Sequence, residues 1–228
     1  EIAFNLMLKP AGSLCNLDCS YCYYLDKAEI YGGKEPRMSP DDLEKYVRAY
    51  MESCEADHVT FNWHGGEPLV LGIDFYRKAV EFEKRYAGGK TVSNTIQTNG
   101  TLITDEWAGF LSKENFLVGV SIDGPKSIHD RFRKDKGGFP SFDRVVTGIK
   151  RLYDNGAQYN LMATVSSAGE GHGLEVYSFL KTLGSRFIQF SPVVEHIKYP
   201  MRNGKPDKHM RPHIVDPKEE GASLAPWS

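Results

Sequence analysis

The chain has 228 residues, and its 28 Lys and Arg against 30 Asp and Glu give a formal net charge of −2. This length accommodates one sizeable domain with a buried core, or two small domains. The near-neutral charge provides no long-range attraction to nucleic acid or to an anionic membrane, so neither is expected as a partner. No apolar run approaches the roughly 20 residues that cross a bilayer, and the start does not resemble a signal peptide. Four cysteines without an export signal indicate a reducing compartment, by default the cytoplasm.

The first elements predicted along the chain are a strand, a cysteine-rich loop and a helix. The strand covers residues 3–8 and leads directly into the loop. The run Ser39-Pro40-Asp41-Asp42 predicts a helix start, because it combines a capping serine, a proline in the first turn and acidic residues near the positive end of the dipole. Apolar residues continue from there at helical spacing as far as Cys54. Cys54 lies on this apolar face and is therefore predicted to be a core residue, with a ligand role as the less favoured alternative.

The same alternation of strand and helix continues to residue 190. Further strands are predicted over residues 59–63, 91–96, 116–122, 159–165 and 187–190. Further helices are predicted over residues 75–86, 105–113, 141–155 and 174–183. Six strands, of which the first five are each followed by a helix, imply parallel pairing with right-handed crossovers. The predicted class is α/β, and the pattern leaves a doubly wound sheet and a curved partial barrel both open.

The segment from residue 195 to residue 228 differs in composition from the rest of the chain. It contains five of the twelve prolines and three of the seven histidines, with little apolar periodicity. We therefore expect a polar loop or linker in this segment, leading to a part of the protein that lies outside this sequence.

Residues suited to chemistry follow the carboxyl ends of the predicted strands. In chain order these ends read KPAGSLCNLDCSYC, WHGGEP, QTNG, SIDG, TVSS and SPVV. Parallel α/β folds build their sites at this edge of the sheet. We therefore expect a single site that is assembled from several loops.

Three of the four cysteines, Cys15, Cys19 and Cys22, form a C-x3-C-x2-C run in the first of these loops. A zinc site completed by His64 or Cys54 is one interpretation, although zinc sites usually use paired C-x2-C units. A cubane iron–sulfur cluster normally has four thiolate ligands. Three thiolates leave one iron free to bind a small molecule, so the run favours an open cluster.

Two further strand ends offer groups that suit a ligand at such a cluster. The paired glycines Gly65 and Gly66 let backbone groups approach a ligand closely, and Glu67 could help to satisfy an amino acid's ammonium group. The alternative role for Glu67 is to cap the following helix. Ser121 and Asp123 offer a hydroxyl and a carboxylate suited to ribose hydroxyls, and their alternative is an ordinary Asp-Gly-Pro turn.

The cysteine run, with Tyr21 before its last cysteine, resembles the signature of the radical S-adenosylmethionine superfamily. The stretches MLKPAGSLCNLDCSYCYYLDK, WHGGEPLVLGIDFY, QTNGTLITDEWAGFL and VGVSIDGPKSIHDRFRKDKGGFPSFDRV resemble anaerobic sulfatase-maturating enzymes. The resemblance runs from about residue 3 to about residue 194. It implies a partial (βα)6 TIM-like barrel as a radical S-adenosylmethionine domain over residues 1–194. Residues 195–228 would then be a Pro-rich linker or the start of a C-terminal domain.

The resemblance also implies the ligands and the contacts of the site. The three cysteines would hold a 4Fe-4S cluster, and S-adenosylmethionine would chelate its open iron through the amino and carboxylate groups. Tyr21 and Gly66 would contact this cofactor, Ser121 its ribose, and the backbone of Val194 its adenine.

The resemblance assigns Arg133 to the cofactor carboxylate. A guanidinium group suits that role because it can donate two parallel hydrogen bonds to a carboxylate. Arg131 and Arg144 compete with it, and a solvated charge in the RFRKDK run is the alternative.

The activity implied is oxidation of a cysteine or serine of a sulfatase to Cα-formylglycine. A 5′-deoxyadenosyl radical would remove a β-hydrogen, and loss of a further electron and a proton would give the aldehyde. The implied partners are an unfolded or nascent sulfatase polypeptide and a reductant such as flavodoxin or ferredoxin. Tyr24 and His64 are candidates to face the substrate, and a packing role is the equal alternative for both.

The chain departs from this family in its cysteine content after residue 22. Full-length members continue with a domain that holds two auxiliary clusters and the catalytic proton acceptor, whereas here only Cys54 follows. We expect a truncated form that binds cluster and cofactor, and we assign no catalytic residue within it. Another radical peptide-modifying enzyme of the thioether-forming type and a zinc-binding interaction module remain the alternatives.

Overall fold

A computed structural model describes residues 3–24, 36–207 and 212–228. Its main sheet consists of β1 (Leu6–Leu8), β2 (His58–Trp63), β3 (Thr91–Thr98), β4 (Leu117–Ser121), β5 (Gln158–Val165) and β6 (Ile188–Pro192). The helices are α1 (Pro40–Ser53), α2 (Ile73–Tyr86), α3 (Asp105–Lys113), α4 (Lys126–Phe132), α5 (Phe142–Asp154) and α6 (Gly173–Lys181). All six predicted strands and all five predicted helices are therefore confirmed, with small differences at their ends.

The six strands form one parallel sheet in the order β1-β2-β3-β4-β5-β6. Every strand pairs with the next one along the chain, and the sheet has no switch point at which the strand order reverses, as a doubly wound sheet would have. Within the described residues β1 and β6 are not paired with each other, so the sheet does not close. The structure thus confirms the α/β class and the partial (βα)6 barrel.

The outer face of the sheet packs against the helices. In β2 the residues Val59, Phe61 and Trp63 are buried, while the residues between them are half-buried. Phe61 and Trp63 stack with ring centroids 5.9 Å apart and join a single core between sheet and helices. The alternation places Thr60 and Asn62 on the opposite, inner face of the sheet. Because the strands are parallel, their carboxyl ends all lie at the same edge of the sheet.

Helix α1 begins and packs as its sequence predicts. The Ser39 hydroxyl accepts a hydrogen bond from the backbone N–H of Asp42 at 3.1 Å, and Pro40 occupies the first turn. The apolar face of α1 is buried, and Cys54 at its C-terminus is only 2% exposed within the main core. The prediction that Cys54 is a core residue is confirmed.

The structure differs from the sequence prediction in two places. Helix α4 follows the Asp-Gly-Pro turn, where seven residues are too few for a clear helical period. The tail, expected as a loop, forms a three-stranded antiparallel sheet of β7 (His196–Lys198), β10 (His213–Val215) and β11 (Ser223–Leu224). It also contains a hairpin of β8 (Met201–Arg202) and β9 (Lys205–Pro206). Strands of two or three residues are too short to show a periodicity, and so the expectation of a loop was wrong there.

The tail is attached to the cysteine loop by apolar packing. Ile197, Ala225 and Trp227 are buried in a second small core, together with Leu17 and Tyr21. The indole N–H of Trp227 donates to the Glu195 carboxylate at 2.9 Å, which fixes the two ends of the tail to each other. None of the helices in the described residues is long and apolar enough to span a bilayer.

Candidate functional site

A cavity of about 460 Å³ lies at the carboxyl ends of the parallel strands. Nine of the eleven residues proposed from the sequence line it, namely Cys15, Cys19, Tyr21, Cys22, Gly65, Gly66, Ser121, Arg133 and Val194. They come from the loops after β1, β2 and β6, from the end of β4 and from the segment after α4. The expectation of one site assembled from several loops therefore agrees with the structure.

Backbone hydrogen bonds hold the cysteine loop from two sides. On one side the N–H groups of Asp18 and Ser20 donate to the carbonyl groups of Lys134 and Phe132, at 2.7 Å and 3.0 Å. On the other side the N–H of Gly66 donates to the carbonyl of Gly12 at 2.9 Å. The loop is thereby connected both to the turn after β2 and to the segment that follows α4.

Gly66 permits this close approach because it has no side chain. A Cβ atom at Gly66 would lie 2.3 Å from the carbonyl oxygen of Leu14 and 2.5 Å from that of Ser13. Both atoms belong to the backbone of the cysteine loop and cannot rotate away. The second glycine of the pair is therefore required by the packing of two loops, in addition to any contact with a ligand.

The three thiols of Cys15, Cys19 and Cys22 belong to residues that line the same cavity. Among the described residues, no group of three or more His, Cys, Asp or Glu side chains converges on one metal position. A cubane cluster binds each thiolate at a different iron, so its ligands line a cavity without meeting at a point. Three thiols on the wall of one cavity fit such a cluster with one iron left open.

The cavity wall controls the protonation and the hydrogen bonding of these thiols. Burial raises the pKa of Cys15 to about 11 and that of Cys19 to about 12, so both are protonated until a metal displaces the proton. The backbone N–H of Leu17 donates to the Cys15 sulfur at 3.3 Å, and the Asn99 amide donates to it at 3.7 Å. Cys15 therefore already has two N–H donors, a feature that affects the potential of a ligated cluster.

A buried ion pair between Arg133 and Asp123 lies next to the cysteine loop. The Nε and Nη2 atoms of Arg133 donate to the two carboxylate oxygens of Asp123, at 2.8 Å and 3.0 Å. The Tyr21 hydroxyl and the backbone N–H of Thr164 also donate to this carboxylate. Burial alone would raise the pKa of Asp123, but the charge and hydrogen bonds of Arg133, together with the other groups around the carboxylate, outweigh it, so the pKa is lowered and the carboxylate stays charged.

This pair leaves one guanidinium nitrogen for a ligand. Arg133 lines the cavity, and its Nη1 atom has no hydrogen-bond partner among the described residues. The two competing arginines do not line the cavity: Arg131 lies over the Phe132 ring, and Arg144 pairs with Asp135 at 2.9 Å. Of the three candidates from the sequence, only Arg133 lines the cavity.

Two residues proposed to contact the cofactor, Glu67 and Asp123, lie behind the cavity wall. Glu67 is completely buried and accepts hydrogen bonds from the Thr98 hydroxyl at 2.7 Å and from the N–H groups of Asn99 and Leu69 at 2.6 Å and 3.0 Å. Burial raises the pKa of Glu67 to about 7. The expected direct contacts are therefore corrected: Glu67 caps the turn after β2 and holds the end of β3, while Asp123 orients Arg133.

The structure adds cavity residues that were not singled out in the sequence. Gln97, Asn99, Met162 and Thr164 line the cavity, and the Gln97 amide donates to the Ser121 hydroxyl at 3.1 Å. The strings QTNG and TVSS contained three of them, but the spacing did not distinguish these side chains from ordinary strand residues. Their position on the inner face depends on the register between neighbouring strands.

Tyr24 and His64 also line the cavity. The Tyr24 hydroxyl lies 3.4 Å from Nδ1 of His64, and burial lowers the pKa of this histidine. His64, together with Gln97 and Met162, also lines a second cavity of about 750 Å³ along the inner face of the sheet. The two cavities therefore share a boundary.

Residues 10–169 match the family profile described as the Radical SAM superfamily. This chain belongs to that superfamily. Its curated relatives include a serine-type anaerobic sulfatase-maturating enzyme from Bacteroides thetaiotaomicron, 48% identical over 193 residues, which are 84% of this chain and 47% of the relative. A cysteine-type enzyme from Clostridium novyi is 37% identical over 222 residues, which are 95% of this chain and 56% of the relative. The chain thus spans about half the length of the relatives that it matches.

Solved structures also superimpose on this chain. Native anSMEcpe with bound AdoMet and Kp18Cys peptide superimposes with a TM-score of 0.77 at 35% identity, covering 82% of this chain and 51% of that one. Streptococcus suis SuiB superimposes with a TM-score of 0.62 at 18% identity, covering 90% of this chain and 42% of that one, and it shares the fold alone. Radical SAM chemistry uses a 4Fe-4S cluster and S-adenosylmethionine, and the residues of this cavity fit both.

Proposed function

We propose that this chain is the radical-generating part of an anaerobic sulfatase-maturating enzyme, which oxidises a cysteine or serine of a sulfatase to Cα-formylglycine. The observation that carries the proposal is the cavity that three cysteines and Arg133 line together. The 48% identity with a serine-type enzyme and the bound peptide of anSMEcpe support the substrate class.

Each residue of the cavity receives a role in this proposal. Cys15, Cys19 and Cys22 would hold the 4Fe-4S cluster, next to which S-adenosylmethionine would bind. The backbone of the Gly65-Gly66 pair accepts from the amino group, and Arg133 binds the carboxylate.

The remaining cofactor contacts come from the other loops. Ser121, held by Gln97, binds the ribose, and the backbone of Val194 binds the adenine. Tyr21 packs beside the cofactor, with its hydroxyl tied to Asp123. When bound, the cluster and S-adenosylmethionine supply the one-electron chemistry that removes a hydrogen atom from the substrate, and the protein orients the reacting groups.

The partners that complete the reaction are part of the same proposal. They are an unfolded or nascent sulfatase polypeptide and a one-electron reductant such as flavodoxin or ferredoxin. None of the four cysteines, which all lie in the described residues, forms a disulfide bond, and this supports a reducing compartment such as the cytoplasm. We propose residues 1–194 as the radical domain and residues 195–228 as a linker to, or the start of, a C-terminal part that contributes the proton acceptor.

The test is anaerobic reconstitution with iron and sulfide, followed by electron paramagnetic resonance of the reduced chain with and without S-adenosylmethionine. We expect a 4Fe-4S signal that changes when the cofactor is added, and loss of that signal in Cys15→Ala. The matched control is Cys54→Ala, a core cysteine whose replacement leaves the cluster in place. Bound zinc, or a signal indifferent to S-adenosylmethionine, would contradict the proposal.

The substrate is tested separately with synthetic peptides that carry the sulfatase target residue. Mass spectrometry distinguishes an aldehyde product from a thioether crosslink, which is the product of the alternative enzyme type. We expect the aldehyde when the auxiliary half of the enzyme is supplied, because the proton acceptor is proposed to lie there.

A further inference from the structure

A buried bridge of two residues, His129 and Ser141, lies behind the Arg133–Asp123 pair, and neither residue has a role in the proposed function. Both are completely buried. The backbone N–H of Asp123 donates to Nδ1 of His129 at 3.3 Å, and Nε2 of His129 lies 3.0 Å from the Ser141 hydroxyl. The Ser141 hydroxyl in turn donates to the backbone carbonyl of Arg133 at 2.7 Å.

Only one placement of the protons satisfies all three hydrogen bonds. The backbone N–H of Asp123 is a donor, so Nδ1 of His129 must accept, and the single ring proton is on Nε2. Nε2 then donates to the Ser141 oxygen, whose own proton is free to donate to the Arg133 carbonyl. Burial, reinforced by the nearby Arg133 charge, lowers the pKa of His129 to about 3, so the ring remains neutral.

The bridge connects the two ends of helix α4. Asp123 lies before this helix and Arg133 directly after it, and the helix is only seven residues long. The same segment that carries Arg133 also accepts backbone hydrogen bonds from the cysteine loop, through Phe132 and Lys134. A shift of this segment would therefore move the guanidinium group and the loop together.

We infer that His129 and Ser141 are positioning residues that fix the backbones on both sides of α4, so that Arg133 presents its free nitrogen to the carboxylate of S-adenosylmethionine. The inference rests on the proposed function for the identity of that carboxylate. The hydrogen bonds of the bridge are present in the chain without any cofactor and do not depend on the proposed function. The bridge therefore sets cofactor affinity without contacting the cofactor.

The first test compares cofactor binding in variants that break the bridge. Ser141→Ala removes the donor to the Arg133 carbonyl, and His129→Gln keeps a polar group near Ser141 but removes the acceptor for Asp123. We expect cluster content close to that of the unaltered chain and a Kd for S-adenosylmethionine raised about five- to tenfold by Ser141→Ala, the effect of one hydrogen bond of about 1 kcal/mol. The matched control is His58→Gln, because His58 forms a similar pair with the Ser93 hydroxyl at 2.6 Å on the exposed surface. His58→Gln should change neither the cluster content nor the Kd for S-adenosylmethionine.

A second measurement needs no variant and no cofactor. Nitrogen-15 NMR of histidine-labelled chain reports which ring nitrogen carries the proton, and we expect the Nε2–H form for His129. Finding the proton on Nδ1 would overturn the inference, as would a Ser141→Ala chain with full cluster content and unchanged affinity. If Ser141→Ala fails to fold, the position of the ring proton on His129 in the unaltered chain still tests the inference. An unaltered chain that holds its cluster yet does not bind S-adenosylmethionine would instead contradict the proposed function.

Discussion

Replacing Gly148 by alanine should destabilise the protein although it improves the local helix propensity. Gly148 is in the middle of α5, where alanine is normally more favourable than glycine by about 1 kcal/mol. A Cβ atom at this position would lie 2.2 Å from the carbonyl oxygen of Gly100 and 3.4 Å from Cβ of Ile103. The nearest atom belongs to the backbone of the turn after β3, so it cannot rotate away.

The expected change in the free energy of unfolding is the cost of overpacking against Gly100 minus the gain in helix propensity. Overpacking of this kind costs about 1–3 kcal/mol, because backbone or helix must shift to relieve the contact. Gly100 resists such a shift, since its φ angle of +76° and its N–H bond to the Thr98 hydroxyl at 3.1 Å hold the turn in place. After subtraction of the propensity gain of about 1 kcal/mol, we expect Gly148→Ala to lower the free energy of unfolding by up to about 2 kcal/mol.

Urea unfolding followed by circular dichroism measures this difference, with Gly109→Ala as the matched control. Gly109 lies within α3, and the nearest atom to an added Cβ is the Asn155 side-chain oxygen at 3.7 Å, which is an ordinary contact. The control should therefore gain up to about 1 kcal/mol from helix propensity. The two Gly→Ala substitutions would then change the free energy of unfolding in opposite directions. A Gly148→Ala chain as stable as the control would refute the close packing of α5 against the turn after β3.

Three further predictions test the buried charges and the cluster environment. Asp123→Asn leaves the buried Arg133 without its charged partner and should lower the free energy of unfolding by about 3 kcal/mol; a loss below about 1 kcal/mol would contradict the buried pair. Burial raises the pKa of Glu83 from 4.5 to about 7, so the folded chain binds this proton more tightly than the unfolded chain. The free energy of unfolding should therefore fall by up to about 3 kcal/mol as the pH rises from 4.5 to about 7. Glu67 has a similarly raised pKa, so Glu83→Gln should reduce the slope of the stability profile in this interval without abolishing it, and an unchanged slope would contradict the contribution of Glu83. Asn99→Ala removes one N–H donor from a cluster ligand and should shift the cluster potential to more negative values; a potentiometric titration that shows no shift would contradict this hydrogen bond.

The sequence alone determined the order of the elements and the chemical character of the site. Alternating periodicities predicted six strands and five helices because each element buries one face, and this local pattern is visible in the residues themselves. The same reasoning placed Cys54 in the core, since it continues the apolar face of α1. The C-x3-C-x2-C run depends only on spacing within one loop, so it needed no tertiary information.

The tertiary structure decided which side chains reach the cavity and which support it from behind. Tyr21 and Asp123 are 102 residues apart in sequence, and Arg133 and Thr164 are 31 apart, yet each pair is joined by a hydrogen bond. No periodicity encodes such pairs, because they depend on strand register and on how α4 crosses the end of the sheet. For this reason the sequence offered three candidate arginines, while the structure places only Arg133 on the cavity wall. The structure also shows that Glu67 and Asp123 lie behind the cavity wall and do not line it. The bridge of His129 and Ser141 likewise became visible only in the tertiary structure.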